Sequence, residues 1–375
     1  MYDLVIRNGT IYDGKGEKPY LADLAVTGKT ITKIGVIEEA GTKEIDAKGK
    51  IVTPGFVDIH THYDGQVTWD PYLRPSTYHG VTTVVMGNCG VGFSPCKPEK
   101  RDWLIGLMEG VEDIPGTALH EGIDWEWETF PEYLDTLEKK PLAIDVGTQI
   151  PHGAVRAFVM GERGITQEKA SEEEISQMGE IVKEAIKVGA FGFSTSRTEK
   201  HRDSSGSLTP SITADKDELV EIAKAVGELD KGVLQGISDF YDFQSEFDIF
   251  KEMSFASGRP ISITVEQQDA RPEWWLQLLD GIKEAQDNGI RMYGQVPPRA
   301  TGILMGLTAS LNPFTLYPSF LEISNLPLDQ KVELMKDPDF KKKILLEKPV
   351  SIGNPLLDEI ITSFNKMFRL GEPAN

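Results

Sequence analysis

Residues 54–64, PGFVDIHTHYD, decide how this chain reads. A short apolar run, opened by Pro54-Gly55 and ending in polar residues, has the pattern of a strand buried on both faces of a parallel sheet. Six more runs of this kind follow: GVTTVVM at 80–86, LAIDVGTQI at 142–150, AFGFSTS at 190–196, GVLQGIS at 232–238, PISITVEQ at 260–267 and IRMYGQV at 290–296. Helical stretches fall between them. In SEEEISQMGEIVKEAIKVGA, Ser171 and Glu174 form a capping box and Gly189 marks the stop. Strands alternating with helices at this spacing predict an α/β chain folded as a TIM-type (β/α) barrel. A doubly wound open sheet is the alternative, weakened because no GxGxxG follows an early strand.

A closed barrel of this type has eight strands, and this series stops at seven. After residue 296 come a loop rich in proline and aromatics and helical stretches around 328–346 and 355–368. The barrel is therefore expected to lack its eighth strand, and the chain to be truncated. Unpaired edges on the first and seventh strands would then favour association into a homo-oligomer. Upstream, residues 1–53 hold short alternating stretches (YDLVIRN, GTIYDG, ADLAVTG, TITKIGVI, KEIDAKGKIVTP) separated by Gly, Asn and Asp turns. They predict a small antiparallel β unit, with residues 54–375 forming the barrel.

Composition narrows the function classes. The 375 residues are 39% hydrophobic and 26% charged, a globular composition, with a formal net charge of −20. Such a surface repels phosphate backbones and anionic lipid, so neither nucleic acid nor membrane is expected as a partner. The two cysteines, Cys89 and Cys96, do not make a disulfide framework, and no apolar run is long enough for a bilayer. The N-terminal residues alternate like a strand and lack the apolar core of a signal peptide. A cytoplasmic location is expected.

Chemistry concentrates at two strand ends. Side chains alternate along a strand, so His60 and His62 share a face and can share a metal, with Asp58 on the same face to orient an imidazole. A bare HxH is better explained by histidines hydrogen-bonded near a turn. Behind a buried strand opening a βα series, metal ligation is the better reading. The second run ends in Met86-Gly87-Asn88-Cys89-Gly90-Val91-Gly92. Neighbouring strands bring Cys89 near the histidine pair, and a thiolate is a good zinc ligand. A buried structural cysteine in a glycine turn is the competing reading.

PGFVDIHTHYD, HGVTTVVMGNCGVGFSP and the later HGAVRAFVMG together resemble the amidohydrolase superfamily, in particular its N-acyl-D-amino-acid deacylase (D-aminoacylase-like) branch. HxH marks the superfamily, and the GNCG turn after GVTTVV points to the branch. The resemblance implies a barrel with a small β-sandwich drawn from both chain ends. It also implies one or two zinc ions, water activated by the metal attacking an amide carbonyl, and His60, His62 and Cys89 as ligands. The general base it implies is an aspartate on an eighth strand, expected here beyond residue 375. Three departures stand out. Strands five and six, which carry histidines in the family, read GVLQGISDFYD and PISITVEQQDARP, where Asp239, Glu266 or Gln267 are the nearest substitutes. The eighth-strand aspartate has no counterpart, and the closing strands of the sandwich are missing.

Other superfamily members carry a modified lysine after the fourth strand. Lys200 lies beyond that strand, which argues against the dihydropyrimidinase-like cyclic-amide hydrolases, the second enzymatic reading. His152, Arg197, His201, Glu266 and Arg299 are the substrate-side candidates. A guanidinium fork at Arg197 or Arg299 suits a substrate carboxylate, although for each taken singly an ordinary surface ion pair is the better explanation. Trp125, Trp127, Phe130 and Tyr133 read as local packing more than as an acyl pocket, and His79 and His120 as structural or exposed. The expected function is metal-dependent hydrolysis of an N-acyl-D-amino acid, a small-molecule substrate. The third reading is a truncated homologue that binds metal or ligand without catalysis.

Overall fold

The N-terminal alternation builds one sheet around a long first strand. In the computed structural model, which describes every residue except 270, 299–301, 310, 352–354, 370 and 372–375, the chain divides into two units. The first holds Met1–Asp58 with Arg74–Thr83, and the second Ile59–Leu73 with Val84–Asn375. In the first unit, β1 (Tyr2–Ile11) pairs antiparallel with β2 (Tyr20–Thr27), which pairs antiparallel with β3 (Thr30–Gly35). On its other side β1 pairs with β4 (Gly41–Asp46) and β5 (Ile51–Val52), and both of these run parallel to it. The purely antiparallel expectation is thus corrected: after β3 the chain crosses to the far edge of β1 and re-enters in the same direction. YDLVIRN and GTIYDG are also one strand and not two. The turn signal Asn8-Gly9 is absorbed as a register shift, with Asn8 at φ 59° and its N–H on Asp23 Oδ1 at 2.9 Å. Val5, Ala25 and Ile37 form the small core of this sheet.

All seven apolar runs become strands: β6 (Phe56–Asp58), β7 (Val81–Met86), β8 (Asp145–Thr148) with its continuation β9 (Ile150–Pro151), β10 (Gly192–Arg197), β11 (Val233–Ser238), β12 (Ile261–Thr264) and β13 (Met292–Gln295). β9 to β13 form a parallel sheet in sequential order, with Phe193 beside Ile150 and Leu234, and Leu234 beside Ile261. Helices connect them: α1 (Arg101–Glu112), α2 (Gly116–Gly122) and α3 (Phe130–Glu138) after β7, then α4 (His152–Met160), α5 (Glu162–Ile165) and α6 (Glu172–Val188) after β9. α7 (Lys216–Gly227), α8 (Phe243–Ser257) and α9 (Trp274–Asp287) follow the next three strands. The predicted capping box is in place on α6: the Glu174 N–H donates to Ser171 Oγ at 3.2 Å and the Ser171 N–H to Glu174 Oε2 at 2.8 Å.

Val182, Ile186, Leu219, Ile222, Phe250 and Ile282 of these helices and Phe193, Leu234, Ile261 and Ile263 of the strands are all buried. Each such burial is worth about 1.5–3 kcal/mol. Among the described residues no further parallel strand follows β13; the chain continues as α10 (Pro318–Ile323), α11 (Leu328–Lys336), α12 (Pro338–Leu346) and α13 (Pro355–Thr362). α11 and α12 share the stretch read as one helix because Asp337 breaks it, capping α12 through the amides of Asp339 and Phe340. Phe320, Ile323 and Ile344 form a satellite core there. No helix among the described residues is long and apolar enough to cross a membrane.

Candidate metal centre

The site starts from a single pinned residue, Thr61. Its N–H and its hydroxyl both donate to the Val85 carbonyl, at 2.9 and 2.8 Å, and its own carbonyl accepts from Asn88 Nδ2 at 3.2 Å. Fixing Thr61 on one side leaves His60 and His62 on the other, with ring centroids 5.4 Å apart.

The turn after β7 is equally determined. Gly87, Cys89 and Gly90 have φ of 71°, 56° and 67°. At Gly87 an added Cβ would stand 2.0 Å from the Gln149 carbonyl oxygen, and at Gly90 it would stand 2.9 Å from the Ser196 nitrogen. The turn is held from neighbouring strands: Cys89 N–H donates to Gln235 Oε1 at 2.7 Å, Gly90 N–H to Ser194 Oγ at 2.9 Å, and Gln149 Nε2 to Asn88 Oδ1 at 2.7 Å. Gly87→Ala is expected to destabilise this unit by more than about 2 kcal/mol, because it adds left-handed strain to a backbone clash. A denaturant midpoint equal to that of the wild type would refute this.

One ligand atom from each of His60, His62 and Cys89 lies within 4.8 Å of the other two. His60 Nε2 and Cys89 Sγ are 3.1 Å apart. Tetrahedral bonds of about 2.0–2.3 Å place ligand atoms about 3.4–3.8 Å from one another, so this donor set fits a zinc-type cation with small side-chain adjustments. The electrostatics agree. Burial pushes the Cys89 thiol well up, with Glu112, Glu266 and Asp64 adding to the effect and Lys200 opposing it. A bound cation reverses that balance. Burial lowers His62 to about 4, which keeps its ring neutral and able to ligate. Its Nδ1 lies 3.4 Å from Glu112 Oε1 without a well-aligned hydrogen bond. Burial raises Glu112 to about 7 and Asp64 to about 8.

Other predicted site residues distribute differently. His201 is drawn to this neighbourhood. Burial first, then His62, Lys200 and His60, lower it to about 3, and its Nδ1 is 2.8 Å from Ser196 Oγ. Glu266 pairs with Lys200. His152 is not at the cluster: its fully buried ring is spent on Thr195 Oγ1 at 3.0 Å and Glu218 Oε1 at 2.9 Å. Arg197 does not offer an open fork, because Glu246 takes its Nε and Nη2 at 2.7 and 2.8 Å and the Ala214 carbonyl takes Nη1. Arg299 lies outside the described residues. Asp239 accepts from the Thr198 hydroxyl and the Glu199 N–H, both at 2.7 Å. Gln267 is exposed, and Asp58 falls in the first unit. Trp125, Trp127, Tyr133 and Phe130 pack ring against ring in tilted and edge-on pairs, as their packing reading expects.

Four residues of the site were not singled out from the sequence. Gln235 carried a signal, since an amide inside an otherwise apolar buried strand needs a partner, whereas Gln295 is half-buried on the more exposed β13. Asp64 continues the alternation of His60 and His62. Glu112 gave none: it ends a helix fifty positions from His62.

The chain is similar to several known proteins. An uncharacterised protein of Mycobacterium tuberculosis is 36% identical over 200 residues, 52% of this chain and 32% of that one. D-aminoacylase of Alcaligenes xylosoxydans is 33% identical over 224 residues, 60% of this chain and 42% of the enzyme. The solved N-acyl-D-glutamate deacylase of Bordetella bronchiseptica, complexed with zinc and a phosphonate mimic of the reaction's tetrahedral intermediate, superposes with a TM-score of 0.62 at 25% identity, over 80% of this chain and 59% of its own. The chain thus spans from about a third to three fifths of these three proteins. Residues 43–366, which hold the histidine pair, the GNCG turn and every strand from β6 to β13, match the amidohydrolase family, and the chain belongs to that family.

Proposed function

We propose that this chain binds zinc through His60, His62 and Cys89 and hydrolyses a linear amide, converting an N-acyl-D-amino acid to a carboxylate and a free amino acid. The convergence of two imidazoles and one thiol within 4.8 Å carries this reading. The similarity to D-aminoacylase and N-acyl-D-glutamate deacylase supports the substrate class. The parallel sheet from β9 to β13, preceded by β6, β7 and β8 paired in sequential order, supports a TIM-type barrel for residues 54–375, with the centre following its first two strands, at the end where such barrels place their sites. When bound, zinc supplies a Lewis acid that polarises a carbonyl and lowers the pKa of water. His60 and His62 bind as neutral rings, and Cys89 binds after giving up its thiol proton. The strained GNCG turn holds the sulfur in place.

A second reading, metal binding without turnover, is favoured by one observation. Two side chains at the ends of β11 and β12, where the family carries histidines, are already engaged, Asp239 with Thr198 and Glu266 with Lys200. The experiment is release of free amine from N-acetyl-D- and N-acetyl-L-amino acids by the purified chain. The expected result is zinc-dependent turnover of D isomers, falling at least about a hundred-fold in His60→Ala. Turnover unaffected by chelation or by His60→Ala refutes the proposal. Zinc retained with no turnover supports the second reading.

A further inference from the structure

The proton on His60 is set from three strands away. Ser262 Oγ on β12 donates to the Leu234 carbonyl on β11 at 3.5 Å, an oxygen that can only accept. With its hydrogen spent there, Ser262 Oγ accepts from Gln295 Nε2 on β13 at 3.0 Å. The amide of Gln295 is therefore turned with Oε1 toward His60, and this oxygen stands 2.8 Å from His60 Nδ1. An amide oxygen has no hydrogen to give, so Nδ1 must carry one. That leaves the lone pair on Nε2, the atom 3.1 Å from Cys89 Sγ.

Resting on the metal reading above, we propose that Gln295 is a positioning residue. Through the Leu234–Ser262–Gln295 relay it fixes the His60 ring in the Nδ1–H form and presents Nε2 to the cation. Ligating histidines commonly donate their second ring nitrogen to an acceptor that fixes tautomer and orientation. The acceptor here is a neutral amide aligned by the neighbouring strands. The same strands hold the sulfur: Gln235 of β11 accepts from the Cys89 N–H at 2.7 Å and directs its own Nε2 toward Thr264 Oγ1 of β12 at 3.5 Å. β11, β12 and β13 thus orient a nitrogen donor and a sulfur donor together.

Two readouts test the proposal. Side-chain nitrogen NMR on metal-free, histidine-labelled protein, with His60→Ala assigning the signal, is expected to show Nδ1 protonated and Nε2 bare in the wild type and in Gln295→Glu, which keeps an acceptor. Gln295→Leu should lose this preference, and Ser262→Ala should weaken it. Zinc affinity, by competition with a chelating dye, is expected to fall about 10–100-fold in Gln295→Leu and to return to within about tenfold of wild type in Gln295→Glu. A wild-type His60 protonated on Nε2, or zinc affinity unchanged in Gln295→Leu, overturns the relay. Wild-type protein that takes up no zinc overturns the metal reading instead, and the metal-free NMR readout still decides the relay. Should Gln295→Leu fail to fold, Ser262→Ala and Gln295→Glu carry the same two readouts.

Discussion

Replacing Cys89 with alanine is expected to lower zinc affinity by about a hundred-fold or more while leaving the fold in place. Zinc sites built from four protein ligands bind with about 10–16 kcal/mol, so one ligand accounts for about 3 kcal/mol. Cys89 is the only sulfur among the three converging donors. Its backbone, not its side chain, carries the turn's structural bonds: the N–H to Gln235 and the glycine conformations on either side remain when the thiol is removed. The buried thiol is also held protonated in the metal-free protein, so zinc uptake must release its proton. Affinity should therefore rise with pH in the wild type and depend less on pH in Cys89→Ala. Competition titrations at two pH values check both points. Equal affinities for wild type and variant would remove Cys89 from the centre.

The second large effect lies away from the cluster. Glu218→Ala is expected to cost about 3–5 kcal/mol, because it strands a fully buried Arg156. Arg156 Nη1 meets both carboxylate oxygens of Glu218 at 2.6 Å, and His152 Nε2 adds a third contact at 2.9 Å. Replacing both charges, as in Arg156→Met with Glu218→Leu, should cost less than Glu218→Ala alone, since no unpaired charge remains. The pH dependence follows in sign. Burial pushes the Glu218 carboxyl up, but the bonds to His152 and Arg156 outweigh it and hold the group below its ordinary 4.5. A depressed acid gives stability that is present above its unfolded value and lost as pH falls through the folded one. Burial also holds His152 below its ordinary 6.5 against the opposing pull of Glu218, so its neutral form adds stability that is lost on acidification below that value. Acid should therefore unfold this region earlier in the wild type than in the double apolar variant. Denaturation by urea across pH 4–8, followed by hydrogen exchange in α4 and α7, measures it. Glu218→Ala within about 1 kcal/mol of wild type would contradict this account.

What was legible in the sequence follows from how local each signal is. Strand alternation and glycine chemistry are short-range, so PGFVDIHTH and the GNCG turn already placed His60, His62 and Cys89 at adjacent strand ends. Each of the seven predicted runs holds a strand for the same reason, with Pro151 and Arg197 extending one residue past their runs. Direction was harder. The parallel pairing of β4 and β5 with β1 depends on where the chain crosses over, which a run of KEIDAKGKIV does not encode. Partner choice was harder still. His152 and Arg197 have the residue types of a substrate site, yet each is consumed by a glutamate from another helix, Glu218 and Glu246. Those pairings span 66 and 49 positions and leave no local trace. Gln295 lies 235 positions from His60, half-buried on the more exposed β13.

X-ray absorption at the zinc edge of the loaded wild-type chain tests the centre most directly. A single sulfur at about 2.3 Å with imidazole nitrogens at about 2.0–2.1 Å is the predicted first shell. A shell of oxygen and nitrogen only, with no sulfur at that distance, would contradict it.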